Sequence, residues 1–465
     1  MKRLYDRLKE YSLSDMYGFH MPGHKRNNRI MGIDLPYEID ITEIEGFDDL
    51  HHADGILKEA QERAAEVFGA DETHFLVNGS TVGILSSILG TTEKKDKVLI
   101  ARHCHKSVFH AVYMNELTPE YVYPEYDPTG QMNAEIRAED VREALDRNKD
   151  IRVVILVSPN YDGVVSDIKT IAEIVHEHDA ILIVDEAHGA HFGFHPYFPE
   201  RANSLGADVV INSLHKTLPS LTQTALLHLN GDRVNKEKIR RYLGILQTSS
   251  PSYIFMASLD ACVDLVDREG DRLFEDYASQ LKEIREDLKG LKHLRLLETE
   301  HFDPSKLVIS VADTDMKSME LYKKLLRDYH LQMEMVAGTY VLAMTSLADT
   351  KEGYDRLKRA LFEIDAQAGE GRARGRELPR MERVMTPGEA VAAKEAGEWE
   401  EIPWTEAEGR TSLEFAYLYP PGSPVIVPGE TVSKEAVELL TYYEEQDFQI
   451  EGLCAKGKIK VWKNG

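Results

Sequence analysis

The 465-residue chain carries 80 acidic against 55 basic side chains, a net charge of −25, with 42% hydrophobic and 29% charged residues. So acidic a composition argues against nucleic acid and anionic membranes as partners, and mildly favours attraction of cationic small molecules. No apolar run approaches the ~18 residues of a membrane span, Met1-Lys2-Arg3 opens no signal-peptide core, and Cys104, Cys262 and Cys454 are too few for a disulfide framework; the cytoplasm is the expected location.

Residues 1–57 are expected to form an arm, with a short amphipathic helix at 2–11 and then a His-rich stretch around Phe19-His20-Met21-Pro22-Gly23-His24 that Pro, Gly and Asn keep irregular. Its apolar residues, Phe19, Met21, Ile30, Met31, Ile33, Leu35, Ile39, Ile41, Ile44 and Phe47, suit contact with a neighbouring subunit. A large domain over 58–300 follows, in which helices (58–68, 82–90, 106–116, 138–148, 167–178) alternate with strands (74–77, 97–100, 121–123, 151–157, 181–184, 208–211). That rhythm predicts an α/β fold with right-handed crossovers and a mainly parallel sheet covered on both faces. Residues 224–229 would add an edge strand, and helices are expected near 236–243, 253–267 and 271–290. A smaller α/β domain is read over 301–368, with strands at 306–311, 332–336 and 339–344. Residues 369–465 give a linker, GEGRARGRELPR, and a C-terminal α+β domain with helices at 386–396 and 431–445 and a Pro-rich turn between them.

Two of these strands end in chemistry. The run ILIV (181–184) leads into Asp185-Glu186-Ala187-His188, and DVVIN (208–212) leads into Ser213-Leu214-His215-Lys216. Ligands of open α/β sheets bind at the carboxyl ends of such buried parallel strands. A lysine and an acid placed there suit pyridoxal 5'-phosphate (PLP): the amine condenses with the cofactor aldehyde, and the carboxylate keeps the ring nitrogen protonated, so that the ring accepts electrons. Taken singly, Asp185 reads as a helix cap and Lys216 as a solvated lysine; the pair at strand ends favours a site.

Asn78-Gly79-Ser80-Thr81 follows a strand and opens a helix, which gathers backbone N–H groups and two hydroxyls into an anion site or, without a ligand, a plain cap. Ser213 and His215 lie close enough to Lys216 in sequence to add donors for the same phosphate. His103-Cys104-His105 does not read as a metal site, because ligands this close in an extended segment cannot converge on one ion and no partner motif occurs nearby; no metal is expected. His105 is placed to stack on a pyridine ring or to serve structurally. His188 and His191 are read as supports for Asp185 and as part of the pocket wall.

These blocks resemble the bacterial ornithine/lysine/arginine decarboxylases, which share the PLP-dependent fold of the aspartate-aminotransferase type. The resemblance runs through FHMPGHK (19–25), DDLHHADG (48–55), NGST (78–81), RHCHKS (102–107), SPNYDGVVSDI (158–168), VDEAHGAH (184–191), SLHKTL (213–218) and YPPGSPVIVPGE (419–430), in order along nearly the whole chain. It implies that Lys216 holds PLP covalently, Asp185 pairs with the pyridine nitrogen, His105 stacks on the ring with His188 nearby, and Ser80, Thr81, Ser213 and His215 bind the phosphate. It also implies a homodimer or higher homo-oligomer with active sites at a subunit interface. The receiver-like domain that opens the family's larger members is expected to be missing, because the helix before FHMPGHK starts at residue 2. Asn27-Asn28 departs from the family, which often carries Gly soon after HKR.

A decarboxylase holds the substrate α-carboxylate out of the ring plane in a poorly solvating pocket, where loss of CO₂ removes a charge. No Ser-Asn-Phe-x-x-x-Arg-like carboxylate clamp is present, although Arg327 and Arg380 keep an aminotransferase open. The catalytic set is then Lys216, His105, His215 and Asp185, with Lys216 or His215 returning the proton. The expected reaction is decarboxylation of arginine, lysine or ornithine to CO₂ and an amine. The alternatives are another reaction of the same fold, an aminotransferase or aldolase, and a catalytically idle PLP-fold binding protein. The substrate's distal cation needs an acid once desolvated, and Glu430, after the Pro-rich turn, is the candidate unless it only caps the helix expected at 431–445.

Overall fold

The computed structural model describes residues 3–29, 32–419 and 422–464. Ile30 and Met31 of the arm, and Pro420 and Pro421 of the Pro-rich turn, lie outside the described residues. The chain divides into one unit of Met1–Thr91, Ile181–Asp276 and Ser346–Ala348 and another of Thr92–Ala180, Tyr277–Thr345 and Asp349–Gly465.

In the first unit, Ile181–Asp185 pairs in parallel with Val209–Asn212, Asp185 opposite Ile211. The strand expected at an edge over 224–229 lies inside instead: Ala225–Leu229 runs antiparallel to both Val209–Asn212 and Glu72–Leu76 and is buried throughout. Its sequence, ALLHL, offers no polar face for solvent, which suits an interior strand. Helix Ile56–Phe68 buries Leu57, Ala60, Ala64 and Phe68, one face at helical spacing, and ends at Gly69, whose φ of +66° closes the helix in the left-handed region. Helix Gly79–Thr91 is apolar nearly all round and sits directly on the strands: a Cβ on Gly83 would fall 2.7 Å from Leu76. That close approach fixes the helix start, with Ser80, over the end of Val209–Asn212. Helix Leu4–Leu13 opens the arm with Leu4 and Leu8 buried, and Ile39, Ile41 and Phe47 are buried further along. Tyr17, Phe19 and Met21 remain 73%, 91% and 66% exposed.

In the second unit, Lys97–Ala101 pairs in parallel with both Val153–Val157 and Thr118–Val122. A second, antiparallel sheet orders Arg295–Leu297, Lys306–Ser310, Tyr340–Met344 and Met335–Val336. Two elements at the C-terminus escaped the sequence: Trp399–Pro403 and Lys458–Trp462 pair antiparallel, each short and laced with charge. Helix Pro387–Glu395 begins with a capping box between Thr386 and Glu389. The expected linker is laid against its own unit, Ala373 N–H donating to Ala312 O at 2.8 Å and the Arg380 guanidinium lying 5.1 Å from the Tyr123 ring centre. The helices expected near 253–267 and 271–290 are one 36-residue helix, Tyr253–Leu288. Gly270 costs that helix only about 1 kcal/mol relative to Ala, and the buried series Val263, Val266, Phe274 and Tyr277 continues past it. No helix among the described residues is long and apolar enough to cross a membrane.

Candidate active site

Strand Ile181–Asp185 ends on Asp185, a carboxyl only 3% exposed. Burial raises its pKa, opposed by the charge of Lys216 and by Ala187 N–H, which donates to Oδ1 at 3.1 Å. Lys216 is not on the strand end itself. Val209–Asn212 stops, and Leu214–Thr217 makes one helical turn with Leu214 and Thr217 buried, leaving His215 and Lys216 partly exposed. Lys216 Nζ lies 3.0 Å from His188 Nε2, so the loop after Asp185 supplies an acceptor that holds the amine in place. Ser80, in the first turn of Gly79–Thr91, shares a hydrogen bond with Ser213 through their hydroxyls. Thr81 is exposed beside it. His215 Nδ1 lies 2.8 Å from Thr224 O and donates to that carbonyl; burial lowers the ring's pKa, so the neutral ring carries its proton there and presents Nε2 as an acceptor. The first unit thus brings together Ser80 with Ser213, Lys216 with His188, and the opposed charges of Asp185 and Lys216.

Glu186 escaped the sequence reading. Its buried carboxyl accepts from Ala202 N–H at 2.8 Å and from Asn212 Nδ2 at 3.0 Å, and burial pushes its pKa up to about 8. Asn212 Nδ2 also donates to Glu186 O at 3.0 Å, tying the turn after Asp185 to the strand that leads to Lys216. No local signal announces it, since a glutamate is seldom fully buried and its donors Ala202 and Asn212 lie further along the chain.

In the second unit, His105 is the N-cap of helix Lys106–Met114, its Nδ1 2.8 Å from Ser107 Oγ. Three residues earlier, Arg102 is wholly buried. Its Nε donates to Glu430 Oε1 at 3.0 Å, Nη2 to Glu430 Oε2 at 2.8 Å, and the remaining donors to Pro424 O and Val425 O. Glu430 is likewise 0% exposed, and its Oε2 also accepts from Val427 N–H at 2.9 Å. Both roles expected for Glu430 are therefore corrected. It caps no helix, since the helix runs Lys434–Glu445 from the Ser433 cap. Its carboxylate is engaged by Arg102 and is closed to a substrate cation. Among the described residues, no cluster of His, Cys, Asp and Glu is placed to hold a metal ion.

The fold is that of solved lysine decarboxylases. The Francisella novicida enzyme LdcF superposes with a TM-score of 0.83 at 20% identity, over 98% of this chain and 80% of that one. Lysine decarboxylase A from Pseudomonas aeruginosa gives 0.83 at 21%, over 100% and 80%. In sequence, the chain is 32% identical to the arginine decarboxylase of Bacillus subtilis over 97% of its own length and 95% of the relative's. It is 23% identical to the lysine decarboxylase LdcA of Pseudomonas aeruginosa, over 94% and 75%. Fold and relatives together define an amino-acid decarboxylase, a carbon–carbon lyase acting on a basic amino acid. The chain belongs to the Orn/Lys/Arg decarboxylase family, whose major domain matches residues 2–323 and whose C-terminal domain matches residues 374–453.

Proposed function

We propose that this decarboxylase uses PLP and that its substrate is arginine, released as CO₂ and the corresponding guanidino amine. The observation that carries the cofactor reading is the placement of Asp185 at the end of one parallel strand and of Lys216 in the helical turn just past the end of its neighbour, buried acid against amine. The donor set fits the group: an amine, a desolvated carboxyl that gains from an opposed N–H⁺, and a hydroxyl pair at a helix N-terminus. PLP, when bound, supplies an electron sink for the bond that breaks. Lys216 would hold it, Asp185 would face its ring nitrogen, Ser80, Thr81, Ser213 and His215 would take its phosphate, and His105 would cover its ring.

His188 keeps the Lys216 amine oriented. Between the two candidate proton donors the choice falls on Lys216, because the His215 N–H is engaged by Thr224 O and its pKa is lowered. Arginine is preferred over lysine because four arginine decarboxylases from Bacillus and a related genus stand at 31–32% identity, against 23–24% for the lysine enzymes. The exposed apolar residues of the arm, Tyr17, Phe19 and Met21, support a homodimer in which a second copy covers them.

The test is CO₂ release from arginine, lysine and ornithine by protein loaded with PLP. Arginine should exceed the other two by at least tenfold in kcat/KM, and Lys216→Ala should abolish release together with the visible band that borohydride bleaches in the parent. Preference for lysine or ornithine would overturn the substrate, and an unchanged reducible band in the variant would overturn Lys216.

A further inference from the structure

The block SPNYDGVVSDI takes no part in the chemistry above, yet it builds a rigid turn in the second unit. Asn160 is fully engaged there: its Oδ1 accepts from Val164 N–H at 2.9 Å, its Nδ2 donates to Asn133 O at 3.1 Å, and its backbone closes on Gly163 and Val164. Gly163, at φ +100°, passes so near Lys306 that a Cβ would lie 2.6 Å from its side chain. The turn presents Asp162, which accepts from the Tyr340 hydroxyl at 2.7 Å through Oδ1 and, among the described residues, from no donor through Oδ2. Burial pushes its pKa up to about 6, against the pull of Tyr340 and Lys306.

Asp162 lines a cavity of about 140 Å³ whose walls include Tyr340, Tyr442 and Tyr443. Glycine keeps part of it open, since a Cβ on Gly338 would fall 2.7 Å from the Tyr442 hydroxyl. His103 also lines it, 8% exposed, with no hydrogen-bond partner for Nδ1; burial lowers its pKa to about 4, so the ring is neutral and has an acceptor nitrogen. At the exposed rim stands Arg376, with no acidic partner among the described residues, its guanidinium 5.8 Å from the Tyr442 ring centre. The inner end therefore offers acceptors and aromatic faces, and the rim offers a cation.

We infer that this cavity is a second, non-catalytic site for a zwitterion, with the ligand's ammonium or guanidinium end at Asp162 and His103 and its carboxylate at Arg376. A half-buried acid beside aromatic faces selects an organic cation, and an arginine at the rim selects a carboxylate. Basic amino acids have both ends, so the site would sense substrate and discriminate against the product amine, which has lost the carboxylate. That identification rests on the decarboxylase reading; the site itself does not.

The test is isothermal titration calorimetry of borohydride-reduced holoenzyme, which cannot react with amines, using 6-aminohexanoate as probe beside n-hexylammonium and hexanoate. The zwitterion should bind at least tenfold more tightly than either half. Asp162→Asn should weaken it at least tenfold, and Arg376→Gln, a change on the exposed rim, should remove most of its advantage over hexylammonium. The same Asp162 dependence should persist in Lys216→Ala freed of PLP, where no aldehyde is present to react with the probe amines. Equal affinity in the parent and Asp162→Asn, or no binding in the parent, would overturn the site. Asp162-dependent binding in a protein that releases no CO₂ would leave the site standing and remove the substrate identification. CO₂ release without such binding would do the reverse.

Discussion

Replacing Glu430 with Gln tests the buried pair directly. The substitution keeps the side chain's shape but leaves the Arg102 guanidinium, itself 0% exposed, without its counter-charge. Removing one partner of such a pair costs about 3–5 kcal/mol, most of it the penalty of the stranded charge. The lower end applies here, because Pro424 O and Val425 O still accept from Arg102, and the Gln oxygen in the place of Oε2 keeps two of the three bonds Glu430 now accepts. About 3 kcal/mol is roughly a hundredfold in an equilibrium constant. Native-state hydrogen exchange is the suitable assay, since local opening of the segment is read apart from unfolding elsewhere. The amides of Gly429 and Glu430, bonded to Ser412 O and Val427 O, should exchange about a hundredfold faster in the variant. Exchanging both partners for apolar residues, Arg102→Met with Glu430→Leu, should cost less than the sum of the single changes. Exchange within threefold of the parent in Glu430→Gln would refute the reasoning, and a raised KM for the basic substrate with unchanged exchange would restore Glu430 as a substrate ligand.

Asp185→Asn should keep PLP but lose about a thousandfold in kcat, some 4 kcal/mol of transition-state stabilisation, and activity within threefold of the parent would contradict its place opposite the ring nitrogen. Without cofactor, the same variant should be at least as stable as the parent at pH 8. Asp185 has a raised folded pKa, so its stabilising contribution is complete below its unfolded value and is lost as pH rises through the folded one. Ser213→Ala should raise the Kd for PLP about tenfold, the loss of one hydrogen bond to a charged group at ~1.5 kcal/mol, measured by fluorescence titration. Glu186→Gln should change the pH dependence of stability. The Glu186 contribution is fully present below its unfolded pKa, near 4.5, and is lost as pH rises through about 8; denaturant midpoints should therefore fall less steeply across that window in the variant, and parallel curves would remove Glu186 as the source.

Period and apolar runs located the strands Lys97–Ala101, Val153–Val157, Ile181–Asp185 and Val209–Asn212, because a strand buried on both faces has no alternative to a continuous aliphatic run. The same runs pointed to Asp185 and Lys216, since polar residues at the end of such a strand stand out. Legibility stopped where partners are distant. Nothing local to Glu430 announces Arg102, because an arginine at a strand end is ordinarily solvated. The short pair Trp399–Pro403 and Lys458–Trp462 carries Glu400 and Glu401 in one strand and Lys458 and Lys460 in the other, charge that reads equally as loop. The break expected between 267 and 271 does not occur, because the packing that carries the helix across Gly270 is tertiary and invisible locally.

The Arg102–Glu430 pair also has a consequence for the chain while it is being made. The partners are 328 residues apart, so at ~5–20 residues per second the arginine leaves the ribosome roughly 15–65 s before its acid is polymerised. Through that interval the end of strand Lys97–Ala101 carries a cation that cannot be buried without cost. A polypeptide released early, at any point before Glu430, keeps that defect permanently. The ion pair thus makes synthesis through Glu430 a condition for burying Arg102 without that cost.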